Sequence, residues 1–257
     1  MLDFLEHPVV LYSFLRSYIQ WRKSSLVLNE IESNAFAAAA EFGGVNISQI
    51  EALIEEWRID FRKLFDPQNP EHFYPTCPNL ASIFANIRDQ CTRKYVYHAV
   101  SRFLKPGSFY LDFGCGAATI SLHFANRINC AFLVDVDNYV AEYVRWRLRR
   151  SNLKQYQFLT PDEFNSVPEE KVEFCLCIDV LEHLKNPSQV MSQISQKLKT
   201  GGILVLQAPW GGRPDHLPIS PIDWNTNGGA DELAKSYRQI ETMVPFIVPL
   251  SGIFQKL

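Results

Sequence analysis

The sequence predicts an α/β protein whose core is a parallel β-sheet, with a helical extension ahead of it. Three observations carry this. From Phe109 onward, short and nearly continuous apolar runs recur, as strands buried on both faces require. Amphipathic stretches of helix length lie between them, and that alternation belongs to a sheet covered by helices on both faces. Ahead of these runs, apolar residues fall at helical spacing. Residues 1–100 are therefore expected to form a helical region, and 101–257 the sheet domain.

Taken in order, "FLEHPVVLYSFLRSYIQWRK" near the start has helical spacing, and "AFAAAAEF" is a good helix former. Asn46 and Ser48 offer N-caps for "SQIEALIEEWRIDFRKLF", whose Ile50, Leu53, Ile54, Trp57, Phe61 and Leu64 make one stripe. The proline-rich "DPQNPEHFYPTCPN" reads as a loop. A helix, interrupted or continuous, is expected over Leu80–Leu104, ended by "KPG" at 105–107. Strands follow at 109–113, 131–135, 155–159, 172–178 and 202–208, with helices at about 117–127, 138–150 and 187–198. Asn186 and Pro187 mark the start of the last of these, and "TGG" at 200–202 its stop. A Gly/Pro-rich loop is expected from Pro209 to about Gly229. A helix over Asp231–Ile240 and the strand candidates "FIVPL" and "GIFQKL" come after it.

The bulk properties narrow the function classes. With 257 residues, 47% of them hydrophobic, the chain can bury a core without staples. A net charge of −3 argues against a nucleic-acid partner, which wants a basic footprint. The one basic run, "RWRLRR" at Arg145–Arg150, reads as the solvated face of a helix. Six cysteines occur without a CxxC pair, and Cys175 and Cys177 alternate in an apolar run like small core residues. No disulfide framework is expected, and a reducing compartment is. "MLDFLEHPVV" carries Asp3 and Glu6 and no basic region, unlike a signal peptide, and no apolar run spans a bilayer. A cytoplasmic location and no membrane partner are expected. The oligomeric state is left open.

The stretch "FYLDFGCGAATISLHFA" (109–125) places Gly114 and Gly116 between a strand and a helix, where backbone can approach a ligand closely. Asp135, about 20 residues beyond Gly114, ends the next strand and can accept ribose hydroxyls, with Asp137 as the neighbouring alternative. Asp112, just ahead of the glycines, is awkward beside a phosphate, and the loop lacks the Lys and Ser/Thr of a P-loop. The expected ligand has a ribose and little or no phosphate. A nicotinamide-dependent oxidoreductase is disfavoured for the same reason.

With "LDFGCGAATIS" (111–121), "LVDVD" (133–137) and "FCLCIDVLEHLKNPSQVMSQISQKLKTGGILVLQAP" (174–209), the chain resembles the class I S-adenosylmethionine-dependent methyltransferases, in particular their ubiquinone-biosynthesis-like small-molecule branch. The resemblance covers about Tyr95–Pro209. It implies a seven-stranded Rossmann-like, mostly parallel sheet with a reversed final hairpin. It implies S-adenosylmethionine as the cofactor, a small-molecule acceptor, residues 1–100 as a helical cap or substrate region, and Gly114, Gly116 and Asp135 at the cofactor. Asp112 would act near the methionine amino group, Ile178 and Asp179 near the methionine portion, and Asp162 on the adenine amine. Where the family often has Gly, this chain has Ala118.

Methyl transfer from a sulfonium needs alignment and, for some acceptors, a base, but no covalent enzyme intermediate. In "DVLEHL", Asp179, Glu182 and His183 would share one helix face, with His183 as candidate base and His216 as a second. The preferred reading assigns no metal. The alternative is a divalent ion held by Asp179, Glu182 and His183, with His216 as a further ligand. A non-catalytic cofactor-binding partner protein is the other alternative. Tyr74, Tyr97, Trp210 and Arg213 are the candidate acceptor-lining residues.

Overall fold

A computed structural model describes residues 28–66, 70–76, 78–210, 215–243 and 250–257. The helix expected near the N-terminus, the "FIVPL" strand apart from Leu250, and Arg213 lie outside these residues. The described elements begin with α1 over 28–43. They continue with α2 (Ile50–Leu64), α3 (Pro70–Thr76), α4 (Leu80–Thr92), α5 (Lys94–Phe103) and β1 (Ser108–Phe113). Next come α6 (Thr119–His123), β2 (Ile128–Val134), α7 (Tyr139–Arg150), β3 (Tyr156–Leu159) and β4 (Val172–Ile178). The last are α8 (Pro187–Lys197), β5 (Leu198–Ala208), α9 (Ile219–Thr226), α10 (Gly229–Ser236), β6 (Tyr237–Glu241) and β7 (Leu250–Lys256).

The seven strands form one sheet in the order β3-β2-β1-β4-β5-β7-β6. The first five are parallel, while β7 runs antiparallel to both β5 and β6. The order turns back on itself between β1 and β4, the place where open α/β sheets bind ligands at the strands' carboxyl ends. Alternation along each strand feeds two cores. Tyr110, Leu133, Phe174, Leu176 and Ile178 face α1, α2, α4, α5 and α7. Leu111, Phe113, Cys175, Cys177 and Leu206 face α8, α9 and α10. Each fully buried side chain of this size contributes on the order of 1.5–3 kcal/mol by leaving water. Cys91, Cys115, Cys130, Cys175 and Cys177 are free thiols, in line with the expected lack of a disulfide framework among the described residues.

Local chemistry sets the helix starts. Asn46 caps a 3-10 turn at Ile47–Gln49 in a reciprocal capping box, and α2 runs on from it. Asn79 and Ser82 do the same for α4. Asn138, not Asp137, caps α7, accepting the Val140 and Ala141 N–H groups at 2.8 and 3.0 Å. Pro187 opens α8, but Asn186 spends its amide on Gln189, and the Ser188 N–H goes to the Asp223 carboxylate at 2.9 Å. Three stretches differ from expectation. The proline-rich segment contains α3, which Pro70 starts at the one helical position where a missing N–H costs nothing. The loop after Pro209 contains α9, and the helix after Gly228 gives way to β6 at Tyr237.

Candidate functional site

The turn after β1 is held from two directions. Gly114 and Gly116 have φ of +79° and +50°. A Cβ on Gly114 would stand 2.1 Å from a Val180 methyl, and one on Gly116 would stand 2.4 Å from Asn86 Oδ1. Glycine is needed here because protein side chains crowd the turn. Its amides are also taken. The Gly116 N–H donates to Asp135 Oδ2 at 2.7 Å, the Ala117 N–H to Asn86 Oδ1 at 2.8 Å, and the Thr119 N–H to Gln90 Oε1 at 2.8 Å. Gln90 Nε2 donates in return to the Cys115 carbonyl at 2.8 Å. With these three amides engaged by side chains, little of the helix-end donor set is left for a phosphate. Ala118 occupies the left-handed region at φ +53°, which is why a glycine would sit easily there.

Asp135 stands beside the turn, its other oxygen accepting the Val136 N–H at 2.8 Å. Burial raises its pKa, and these two backbone bonds oppose the rise. Asp112 lies below the turn. It accepts the Ser121 hydroxyl, and burial pushes its pKa up to about 7.

Beyond β4 the chain makes no regular α-helix. Asp179 adopts φ +54°, and a single 3-10 turn spans Leu181–His183. Asp179, Glu182 and His183 therefore do not share a helix face. Asp179 turns to Arg93, at the α4–α5 junction, with Oδ2 2.8 Å from Nη2, and Arg93 also pairs with Asp89. The Leu217 N–H donates to the Glu182 carbonyl at 2.7 Å, which brings Asp215 and His216 against His183. His183 Nδ1 is 2.8 Å from the Asp215 carbonyl oxygen. A carbonyl only accepts, so Nδ1 carries the proton and Nε2 the lone pair. Tyr74, from α3, donates its hydroxyl to Asp215 Oδ2 at 3.1 Å and touches His183 Nδ1 at 3.2 Å. The carbonyl of Tyr74 accepts from the Asn138 amide at 2.9 Å, so α3 is tied to both the β2 and the β5 edges of the site. Neither oxygen of the Glu182 carboxylate, which is fully buried, has a hydrogen-bond partner among the described residues. Desolvation, with Asp179 nearby, raises its pKa to about 9.

One cavity of about 1200 Å³ joins these groups. It brings together eight of the expected site residues: Gly114, Gly116, Asp135, Ile178, Asp179, His183, His216 and Tyr74. It does not reach Asp112, Asp162, Tyr97 or Trp210. Asp112 is buried beneath the loop with Ser121. Asp162 is exposed in a 3-10 segment organised by the Thr160–Glu163 capping box. Tyr97 is buried against Cys91, His123 and Phe124, on the face of α5 that packs into the core. Trp210 packs on Trp224 at 6.1 Å. Asn86, Gln90 and Arg93 were not singled out from the sequence. Their spacing puts all three on one face of α4, but polar residues at helical spacing also describe a solvated face.

The family model for a methyltransferase domain matches residues 86–244. An (S)-coclaurine N-methyltransferase from Papaver somniferum is 25% identical over 136 residues, which is 48% of this chain and 36% of that protein. A ubiquinone biosynthesis O-methyltransferase from Bradyrhizobium sp. (strain ORS 278) is 28% identical over 123 residues, 47% of each chain. The match spans less than half the length of either curated relative. Among solved structures, a SAM-dependent methyltransferase from Aquifex aeolicus is similar with a TM-score of 0.44 and 16% identity. It covers 74% of this chain and 96% of that one.

Proposed function

We propose that this chain, which belongs to the methyltransferase-domain family, transfers the methyl group of S-adenosylmethionine to a small-molecule acceptor by direct displacement. The observation that carries the reading is the glycine turn. Its amides are engaged by Asp135, Asn86 and Gln90, and it opens into the cavity beside a carboxylate suited to ribose. That donor set fits a nucleoside without phosphates. The bound cofactor supplies an electrophilic methyl on a sulfonium, and the chain's residues supply orientation and proton handling.

Asp135 retains acceptor sites for the ribose hydroxyls after taking two backbone N–H groups. The Arg93–Asp179 pair offers a guanidinium and a carboxylate to the zwitterionic amino-acid end. His183, fixed by the Asp215 carbonyl, has its lone pair on Nε2, where it takes a proton from an acceptor hydroxyl or ammonium. Tyr74 and Asp215 hold that ring in place. Alignment of acceptor and methyl then supplies most of the rate.

Calorimetry with S-adenosylmethionine, S-adenosylhomocysteine and NAD tests this. Asp135→Ala is expected to weaken binding of the first two by about tenfold or more, the loss of one charge-assisted pair. Tight NAD binding with neither of the others overturns the reading.

A second reading is favoured by Glu182. Its unpartnered carboxylate lies with His183 and His216 in a cluster whose ligand atoms are all within 4.8 Å of one another. A divalent cation there would hold the carboxylate ionised and orient an acceptor oxygen. Asp179 is not part of that cluster, because Arg93 holds it. Activity that survives dialysis against a strong chelator rejects the metal.

A further inference from the structure

We propose that the outer half of the cavity binds the acceptor as an extended, ring-containing apolar molecule that carries an anionic group at the end away from His183. The proposal rests on the methyl-transfer reading above and names the substrate class of the same site.

Size comes first. Pockets for one ligand usually enclose roughly 300–1,000 Å³. At about 1200 Å³ this cavity has room beside the glycine turn for a second molecule. The wall of that additional space is aromatic and comes from α2 and α3. Phe61 contacts Phe73 at 4.9 Å between ring centroids, Phe73 contacts Tyr74 at 5.3 Å, and Tyr74 contacts His183 at 5.2 Å. Trp57 joins the same series through Phe73 at 5.9 Å. The rings therefore lead from α2 to the candidate base in three steps. Phe73 is buried, but Trp57 and Phe61 are only partly covered and line the cavity. Half-open aromatic faces along a cavity suit a flat apolar ligand.

Charge gives the second half of the argument. Arg58 and Arg62 lie one turn apart on α2, line the same cavity and are exposed. Arg58 meets only Glu55 at 3.3 Å, a pair more than half exposed on both sides and worth little. Arg62 has no ion-pair partner among the described residues. The other two arginines at the cavity are committed. Arg88 is held by Glu32 and by both oxygens of Glu51, and Arg93 by Asp89 and Asp179. Of the lining acids, Asp89 and Asp179 pair with Arg93, and Glu182 is buried beside His183, at the other end of the ring series. Asp135 takes backbone amides and Asp215 takes the Tyr74 hydroxyl. Two exposed guanidiniums, only one of them met by a carboxylate and that one solvent-exposed, at the end of an aromatic wall favour a carboxylate or phosphate over a neutral or cationic group.

The test is calorimetry on the full chain saturated with S-adenosylhomocysteine. The probes are a hydroxynaphthoate, its carboxamide, its aminomethyl analogue and the matching aryl phosphate. The acid or the phosphate is expected to bind about tenfold tighter than the amide, and whichever of the two binds tighter identifies the anion. The double variant Arg58→Gln/Arg62→Gln should remove that preference and leave amide binding and S-adenosylhomocysteine binding unchanged. Trp57→Ala should weaken acid and amide alike. Acid and phosphate both binding no tighter than the amide, tighter binding of the amine, or no saturable binding of any probe overturns the proposal. Failure of the wild-type chain to bind S-adenosylhomocysteine instead overturns the cofactor reading. The acid-against-amide comparison is then made without it and still decides the present proposal.

Discussion

Asp112 lies within the buried part of β1 with its carboxyl facing Ser121, and that placement has a consequence for stability. Its pKa rises from 3.8 in the unfolded chain to about 7 in the fold, because burial penalises the charge. Between those values the native state holds a proton that the unfolded chain has released. The contribution of Asp112 is therefore fully present below about pH 4, declines as pH rises, and is lost above about pH 7. Asp112→Asn keeps an acceptor for Ser121 and removes the charge. It is expected to flatten Tm against pH between 4 and 7 and to raise stability at pH 8, by up to a few kcal/mol. Thermal melts across that range check it. Single residues were legible in the sequence where the signal is local. Gly114, Gly116 and Asp135 are picked out by spacing along one βα unit, and all three line the cavity. Tyr97, Trp210 and Asp162 do not line it, because which side of an element faces the cavity is decided by packing. Asp215 carries no signal of its own in the sequence. It is buried and holds Tyr74, and only the fold of the β5–α9 connection could reveal that.

Among the elements, α4 matters most to the site. Its Asn86 and Gln90 hold the glycine turn, and Arg93 at its end holds Asp179. Gln90→Leu would leave the Thr119 N–H and the Cys115 carbonyl without a side-chain partner in a buried place. The expected cost is about 1–3 kcal/mol for each unmet group, together with weaker cofactor binding. Denaturant unfolding and calorimetry on the same variant measure both. The strands and the helices after them were readable because near-continuous apolar runs alternate with amphipathic stretches of helix length. The proline-rich segment was not. Four prolines in a short span suggest a loop, yet Pro70 is also a proper first residue for a helix, and α3 then finds anchors in Asn138 and Asp215. Those anchors lie far along the chain, so local propensity alone could not identify the element.

At the scale of the molecule, one face of the core runs without interruption from Leu28 on α1 to Ile253 on β7. The described helices ahead of the sheet share this core, α3 excepted, whose Phe73 packs on Trp57, Phe61 and Phe65 of the α2 side. Thermal unfolding is therefore expected as one transition, with far-UV circular dichroism and tryptophan fluorescence coincident. S-adenosylhomocysteine at a hundredfold excess over its Kd should add about 2.7 kcal/mol, a rise of roughly 5–10 °C in Tm for a chain of this size. Two separated transitions, with only the later one moved by the ligand, would contradict a shared core. The strand order has a further consequence when it is followed in time. β6 is made before β7 but pairs with β7 alone, and β5 meets only β7 on its outer side. Until Leu250–Lys256 has been synthesised, β6 has no strand to join and β5 keeps an open edge. Five parallel strands and the ligand turn can be complete while that edge is still exposed. The strand that joins β5 to β6 is thus made after both, and this part of the fold cannot form in the order in which it is translated.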